Sequence, residues 1–421
     1  MKILERAIKI LKKGYICDSC LGRIFAELLS GKTNEQRGKI IRHYIAMLID
    51  AGEKIDVDTS NFYDIKFRNV KIKSNKPKQC KVCKNFFSEE IEKLAKRIVK
   101  KLETIEFNNF LIGTIVSDEM ARAEEKIWDE VSIEFVEPIK SEINRELGKR
   151  IEKLTKKKFE LRNPDVTIIV DLNRDCIRLQ IKSLFVAGGY KKLVRGIPQT
   201  KWICRSCGGK GCKVCKGIGK LYPTSVQEII EKPFIKAVEA KKSKFHSAGR
   251  EDVDARCLDY RPFVIELIRP LKRRVNLRKI AEKINKSKKV KVSKLKIVEK
   301  DRVRKLKTER TDKTYLAEVT FTKAIDAKKI KLLKQLVGEI LQKTPQRVIH
   351  RRGNKLRKRK VKSISAKIIS KRKMELKIRA ESGLYVKELI TGDMGRTKPN
   401  IVELLNNKVK KIKLDVIKIH K

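Results

Sequence analysis

Four Cys-x-x-Cys pairs constrain this chain more than any other feature, because each pair can present two thiolates on one tight turn. They use eight of the ten cysteines: Cys17 and Cys20, Cys80 and Cys83, Cys204 and Cys207, Cys212 and Cys215. In a cytosolic chain such pairs favour metal thiolates over disulfides. Cys176 and Cys257 lack this spacing, and we expect them to be small buried hydrophobic residues.

The two later pairs abut in the segment from Cys204 to Gly219, which repeats the unit Cys-x-x-Cys-x-Gly-x-Gly. Its glycines let the backbone fold closely enough for four thiolates to surround one ion. The pattern therefore predicts a structural zinc site, since four cysteine ligands leave no coordination position open for catalysis. A redox role fits less well, because four closely spaced thiols among glycines suit a closed site.

The two earlier pairs are separated by about sixty residues, so the spacing alone does not show whether they share an ion. We expect one shared structural zinc, with separate redox pairs or buried thiols as the alternatives. The cofactor prediction is therefore two structural Zn²⁺ ions, with none needed for catalysis.

The charge of the chain points to its partner. Lysine and arginine number 105 against 51 aspartates and glutamates, a net charge of +54. A charged thermophilic surface normally balances the two signs, so this excess favours a polyanion, and we expect nucleic acid. The sequence contains no run of about eighteen apolar residues and no apolar core of a signal peptide at its start, which predicts a cytoplasmic protein that is not in a membrane. It leaves the oligomeric state open.

The periodicity predicts an α+β fold with a mixed or antiparallel sheet, because strands and helices mingle without strict alternation. A helix is expected after Ser88, with its apolar face at helical spacing. Strands are expected over 166–172 and 177–186, and another helix over 329–341. A length of 421 residues suggests two or three domains.

Three short motifs follow in order along the second half of the chain. Gly249-Arg-Glu-Asp252 precedes an apolar stretch, and Lys313-Thr-Tyr-Leu-Ala317 and Gly383-Leu-Tyr-Val-Lys-Glu-Leu389 offer aromatic rings and a cation. Such groups can converge in one cleft. Taken singly, an aspartate after an arginine is commonly a surface ion pair, and tyrosines are commonly core residues. Asp254 is a rival carboxylate that, with Asp252, suggests the metal pair of a nuclease.

The three motifs, in this order, resemble those of pseudouridine synthases. Longer strings at residues 195–200, 246–256 and 392–399 look like the archaeal and eukaryotic tRNA pseudouridine synthase family that modifies uridines 54 and 55 of the T-loop. The outer cysteine pairs match the N-terminal zinc site of that family. The inner four cysteines resemble a feature of its archaeal members, which implies an archaeal source.

The resemblance implies an isomerase with a mixed or antiparallel pseudouridine-synthase sheet domain behind an N-terminal zinc-binding, THUMP-containing α/β region. Its implied domains are residues 1–90, which bind zinc, residues 91–195, which are THUMP-like, and residues 196–421, which are catalytic. The inner cysteines form an insertion near 202–220. A non-catalytic, zinc-containing protein that binds structured RNA is the alternative.

The resemblance also implies the roles of site residues. Asp252 is the catalytic nucleophile or base, and Lys387 holds it ionised. Tyr315 stacks on the uracil and serves in proton transfer at C5, Tyr385 lines the same pocket, and Arg250 fills the place of the extruded base. Two departures stand out: Leu384 occupies a position where threonine is common, and Lys387 one where relatives outside this branch carry arginine.

Overall fold

The computed structural model describes residues 3–131 and 134–420 and divides into two compact units that meet in the sequence at residues 182 and 183. Both units combine helices with a sheet, which confirms the α+β class. Among the described residues, no helix has both the length and the apolar character that crossing a bilayer requires. The three-part domain division made from the sequence stays a prediction.

Within its described residues, the first unit contains six α-helices and a four-stranded sheet. The helices are α1 (Ile3–Leu11), α2 (Asp18–Gly22), α3 (Asn34–Asp50), α4 (Ile91–Leu102), α5 (Asp118–Trp128) and α6 (Ile139–Thr155). The strands are β1 (Asn109–Ile115), β2 (Lys158–Phe159), β3 (Val166–Asp171) and β4 (Cys176–Ile181). The sheet order is β2-β1-β3-β4, in which β1 runs parallel to both of its neighbours and β4 is antiparallel.

Helix α4 shows why this sequence folds locally as expected. Ile91, Leu94, Ala95, Ile98 and Leu102 recur at three- and four-residue intervals and are all buried. This spacing puts them on one face of the helix. The helix predicted after Ser88 is thus confirmed. Helix α4 packs against α6.

Over residues 183–420, the second unit contains five α-helices and a ten-stranded sheet. The helices are α7 (Val226–Val238), α8 (Leu277–Asn285), α9 (Asp301–Thr308), α10 (Val386–Thr391) and α11 (Ile401–Leu405). The strands are β5 (Leu184–Lys192), β6 (Lys242–Ser247), β7 (Arg256–Ile268), β8 (Val290–Val298), β9 (Lys313–Phe321), β10 (Gly338–Lys343), β11 (Leu356–Ser370), β12 (Lys373–Ala380), β13 (Thr397–Lys398) and β14 (Val409–Ile419).

This sheet consists of two antiparallel halves joined by one parallel pair. Its order is β13-β10-β11-β12-β9-β14-β7-β5-β8, with β6 also paired to β7. The junction is short: β14 meets β7 only at Asp415 with Arg256 and at Val416 with Cys257. Strands that diverge after so short a contact leave room for a cleft between the halves.

Each half of the sheet has its own core. On one side, α7 buries Val226, Ile230, Phe234 and Val238, spaced four residues apart, against β5, β7 and β8. The helix is capped by Ser225, whose side chain accepts from the backbone N–H of Glu228. On the other side, α10, α11 and the strands from β9 to β12 enclose a second apolar cluster. The junction between the halves is thus supported from both sides.

Two elements differ from the sequence prediction. The strand expected over 177–186 is two strands, β4 in the first sheet and the start of β5 in the second. The helix expected over 329–341 is a 3₁₀ segment, Ala327–Leu336, followed by β10. Gly338 has φ +126° and ends the helical course, and Ile340 is then buried in the core opposite β11. Pairing with a distant strand outweighs local helical spacing.

Candidate active site

A cleft of about 850 Å³ lies beside the junction of β7 and β14. Asp252 precedes β7, whose Cys257 pairs with Val416 of β14, and Val416 pairs in turn with Tyr315 of β9. On the far side of β9, the antiparallel β12 ends at the same edge of the sheet and leads to Tyr385 at the start of α10. Strand register thus brings the three sequence motifs to one place.

Asp252 lies between two cations. Its Oδ1 accepts a hydrogen bond from Arg347 Nη1 at 3.0 Å, and its Oδ2 lies 3.3 Å from Lys387 Nζ. Arg347 also donates from Nε to Oε1 of the buried Glu388 at 2.6 Å. Lys387 donates to both carboxylate oxygens of Asp254, at 2.7 and 2.8 Å. Lys387 is therefore shared between two carboxylates, and Arg347 is held toward Asp252 by a buried glutamate.

These two cations determine the ionisation state of the Asp252 carboxyl. Partial burial by itself would raise the pKa of the Asp252 carboxyl, but the positive charges of Arg347 and Lys387 outweigh it and lower the pKa below its ordinary value of 3.8. The carboxyl is consequently ionised at neutral pH. An ionised and partly desolvated carboxylate is the form that a nucleophile or a general base requires.

The neighbouring Glu251 points into the protein. Its side chain is 0% exposed and that of Arg261 is 1% exposed, with Arg261 Nε 3.0 Å from Glu251 Oε2. The Tyr190 hydroxyl donates to Glu251 Oε2 at 2.9 Å, and Gln199 donates to the Tyr190 oxygen at 2.6 Å. Arg261 Nη1 donates to the carbonyl of Ala248 at 2.9 Å. This buried network fixes one side of the loop that carries Asp252.

Lys192 fixes the backbone of the same loop. Its Nζ donates to the carbonyl oxygens of Asp252 at 3.0 Å and Val253 at 2.9 Å. Burial of the ammonium group lowers the pKa of Lys192 to about 8. Asp252 is therefore held through its own carbonyl as well as through its carboxylate.

Both predicted tyrosines line the cleft. Burial raises the pKa of Tyr315 to about 12, and the nearby Asp252 charge adds to the effect. Tyr385 accepts a hydrogen bond at its hydroxyl from Arg352 Nη1 at 2.9 Å, while Gln342 bonds to its backbone N–H and carbonyl. Tyr315 is thus a neutral phenol at neutral pH, and Tyr385 is oriented at both ends.

Arg250 also lines the cleft. Its guanidinium carbon lies 5.1 Å from the ring centroid of Trp202, which is another residue of the cleft wall. This distance is within the range of a cation–π interaction. The predicted site residues Asp252, Tyr315, Tyr385, Arg250 and Lys387 therefore share one cleft.

The outer cysteines form one cluster in the first unit. The Sγ atoms of Cys17, Cys20, Cys80 and Cys83 all lie within 4.8 Å of one another, so the two distant pairs share one site. The backbone N–H of Cys17 donates to Cys80 Sγ at 3.3 Å, and Arg23 Nη1 donates to Cys20 Sγ at 3.0 Å. Donors to sulfur stabilise the thiolate form that binds a metal ion.

The inner cysteines form a second cluster in the second unit. Cys204 Sγ lies 3.9 Å from Cys212 Sγ, and Cys207 Sγ lies 3.8 Å from Cys215 Sγ. A tetrahedral ion about 2.3 Å from each sulfur requires sulfurs about 3.8 Å apart. These residues consequently fit a metal ion with four thiolate ligands.

The glycines of the inner segment are needed for this geometry. Gly219 has φ +69° and donates its N–H to Cys215 Sγ at 3.2 Å. A Cβ atom at Gly219 would overlap the carbonyl oxygen of Gly209, and one at Gly211 would overlap that of Gly217. Close backbone approach explains the Cys-x-x-Cys-x-Gly-x-Gly pattern.

Several residues of the site carried no recognisable signal in the sequence. Arg347 lies 95 residues from Asp252 in a segment rich in lysine and arginine, where no local pattern distinguishes it. Lys192 and Arg261 lie within strands, outside the three motifs and the longer strings. Glu251 is part of the first motif, but its direction into the core follows only from the partners that surround it.

The nuclease interpretation does not fit this arrangement. A metal ion bridging Asp252 and Asp254 would need the position that the Lys387 ammonium occupies between the two carboxylates. The clusters of three or more metal-binding groups found among residues 3–131 and 134–420 are the two sets of cysteines. Asp252 is therefore paired with the cationic side chains of Arg347 and Lys387 and is not arranged as a ligand for a metal ion.

Comparison with known proteins adds independent support. The family profile described as "Pus10, C-terminal" matches residues 185–420, and the one described as "Pus10 THUMP domain, archaeal" matches residues 94–171. The "tRNA pseudouridine synthase Pus10" of Methanothrix thermoacetophila is 41% identical over 99% of this chain and 94% of its own length. That of Methanocaldococcus jannaschii is 40% identical over 98% of this chain and 93% of its own length.

The mixed sheet has two halves, and the cleft contains an ion-paired aspartate and two tyrosines. Together with these relatives, this arrangement defines a pseudouridine synthase, which is an enzyme of the isomerase class. The chain belongs to the Pus10 family and carries the archaeal form of its THUMP domain. The family resemblance inferred from the motifs is thereby confirmed, and the non-catalytic RNA-binding alternative is set aside.

Proposed function

We propose that this protein isomerises uridine to pseudouridine in the T-loop of tRNA, at position 54, position 55 or both, with Asp252 as the nucleophile. The observation that carries the proposal is the ionised Asp252 carboxylate, held between Arg347 and Lys387 in a cleft with Tyr315. The net charge of +54 supports a polyanionic substrate. The choice of the T-loop rests on the resemblance of the longer motif strings.

The reaction needs no oxidant and no external donor. The N1–C1′ bond breaks, the uracil turns, and C5 bonds to C1′, while C5 loses a proton and N1 gains one. Asp252 either attacks the ribose or removes a proton from it, and in both cases the charge must be available at neutral pH. Arg347 and Lys387 keep it available by stabilising the carboxylate.

We assign the two tyrosines to contacts with the uracil base rather than with the ribose. With a pKa raised to about 12, Tyr315 stays a neutral phenol, and its ring stacks on the uracil. Its hydroxyl takes part in the proton transfer at C5 as a relay, accepting the proton that C5 loses while releasing its own toward N1. Tyr385 lines the same cleft. Extruding a base from a folded loop costs about a few kcal/mol, and lysine–phosphate contacts offset that cost.

Zinc is the metal that the two cysteine clusters suit best. Four thiolates at tetrahedral spacing are the usual ligand set of structural zinc, and they leave no open position. In the first unit the ion would connect α2 with the segment that follows residue 80. In the second it would hold the inner segment closed.

The proposal is tested by incubating the purified protein with an unmodified tRNA transcript and mapping pseudouridine at single-nucleotide resolution. We expect pseudouridine at position 54, position 55 or both, and none elsewhere in the T-loop. A transcript with cytidine at both positions is the control for position. Absence of product at every T-loop uridine would contradict the proposal.

Replacement of Lys387 by methionine should make the enzyme more sensitive to acid. Asp252 must be ionised, and its pKa is held below the ordinary value, so wild-type activity is lost only when the pH falls through this lowered pKa. Removing one of the two cations raises the pKa of Asp252. The acidic limb of the kcat/KM profile should therefore move to higher pH, which a series of initial rates would measure.

Lys387→Arg is the matched control, because it keeps the positive charge at this position. Its acidic limb should stay near that of the wild type, even if its maximal rate falls. If Lys387→Met and Lys387→Arg gave the same pH profile, the charge of Lys387 would have no part in keeping Asp252 ionised.

A further inference from the structure

The inner cysteine module, residues 202–222, has almost no apolar core of its own. Its four aliphatic side chains, all within the described part of the chain, are between 47% and 70% exposed: Ile203, Val214, Ile218 and Leu221. The buried side chains of the module are cysteines, Cys204 and Cys215. A segment this poor in buried apolar area depends on its metal ion to stay folded.

Trp202 stands where this module joins the cleft. The module closes as a hairpin, because Leu221 N–H donates to the Trp202 carbonyl and Cys204 N–H donates to the Gly219 carbonyl, both at 2.9 Å. The ring of Trp202 packs edge-to-face on Tyr222, with centroids 5.4 Å apart. The two aromatic residues at the ends of the module thus form one unit, two residues away from the ligand Cys204.

Arg250 lies across the Trp202 ring, 5.1 Å from its centroid, and is separated from Asp252 by one residue. Arg250 is exposed, and a long arginine side chain loses considerable rotamer freedom when it is held in one direction. The face of Trp202 provides one surface that limits this freedom.

We propose that Trp202 is a positioning residue that directs Arg250 into the mouth of the cleft, and that the metal-bound inner cysteine module in turn fixes Trp202. The ion in this module would thereby affect substrate handling without touching the substrate. The inference rests on the proposed function in its kinetic part only. A competing arrangement is that Lys220, which bonds to Glu228 of α7, already fixes the base of the module without metal.

The kinetic test is a double-mutant cycle measured as kcat/KM on the tRNA transcript. Trp202→Leu should lower kcat/KM by about two- to fivefold, the range expected for an exposed cation–π contact. Trp202→Phe, which keeps an aromatic face, should recover most of the loss. In an Arg250→Gln background Trp202→Leu should cause no further loss, whereas losses that multiply would overturn the proposal.

The spectroscopic test does not depend on catalysis. The sequence has two tryptophans, so Trp128→Phe leaves Trp202 as the single emitter. In that background, Cys207→Ser with Cys212→Ser should lower the metal content by one ion per chain and change the Trp202 emission. Arg250→Gln should also change the emission, and the control Arg205→Gln, an exposed arginine of the module, should not.

The outcomes separate the two proposals. A wild-type protein that forms no pseudouridine would contradict the proposed function, while the emission experiment would still report on Trp202. Loss of the inner ion without any change in Trp202 emission or in kcat/KM would show that the α7 anchor suffices, and would overturn the inference.

Discussion

Replacing Asp252 by asparagine should abolish pseudouridine formation, lowering kcat by about 10⁴-fold or more, as removal of a catalytic nucleophile typically does. Asparagine keeps the size of the side chain but removes the charge that Arg347 and Lys387 stabilise. Binding of tRNA should stay within a few-fold of the wild type, because the phosphate contacts come from other residues. Single-turnover assays and a filter-binding titration measure the two effects separately.

Asp254→Asn is the matched control for this variant. Asp254 pairs with the same Lys387 but is largely exposed, with its side chain 62% accessible. We expect this variant to retain most of its activity. Equal losses of activity in Asp252→Asn and Asp254→Asn would contradict the assignment of the nucleophile. A fully active Asp252→Asn variant would show that Asp252 is not the nucleophile.

Replacing Arg261 by methionine should destabilise the second unit by about 3–5 kcal/mol, the usual cost of breaking a buried ion pair from one side. Glu251 would be left buried without its ion-pair partner, with the Tyr190 hydroxyl and the nearby Lys192 ammonium group remaining to stabilise it. The Trp202 emission of a Trp128→Phe background reports this unit, so a denaturant titration followed by fluorescence measures the change. Activity should fall as well, because the loop that carries Asp252 loses its support.

Two further variants show whether the effect comes from the buried charge. Arg261→Met combined with Glu251→Gln removes both charges and should recover part of the stability that Arg261→Met loses. Arg278→Met breaks an exposed pair with Glu282 and should change stability by no more than about 0.5 kcal/mol. If Arg261→Met were as mild as Arg278→Met, the pair would not be a structural support of the loop.

Much of this architecture was accessible from the sequence, but unevenly. The helix at α4 and the strand at β3 follow from apolar spacing within the segment itself. The helix expected over 329–341 does not form, because Ile340 gains more by entering the core opposite β11 than by continuing a helix. Local periodicity is decisive only where tertiary pairing agrees with it.

The sequence by itself determined the family, the four Cys-x-x-Cys pairs and the order of the three motifs, since each pair and each motif is encoded in residues that are close along the chain. Only the tertiary structure decided that the outer pairs share one site, that Arg347 joins Lys387 in pairing with Asp252, and that Glu251 turns inward to Arg261. The first two of these contacts join residues sixty or more positions apart in sequence. The register of β7, β14 and β9 brings Asp252 and Tyr315 to one cleft, and it is fixed by pairing between strands that are distant along the chain, which no local pattern encodes.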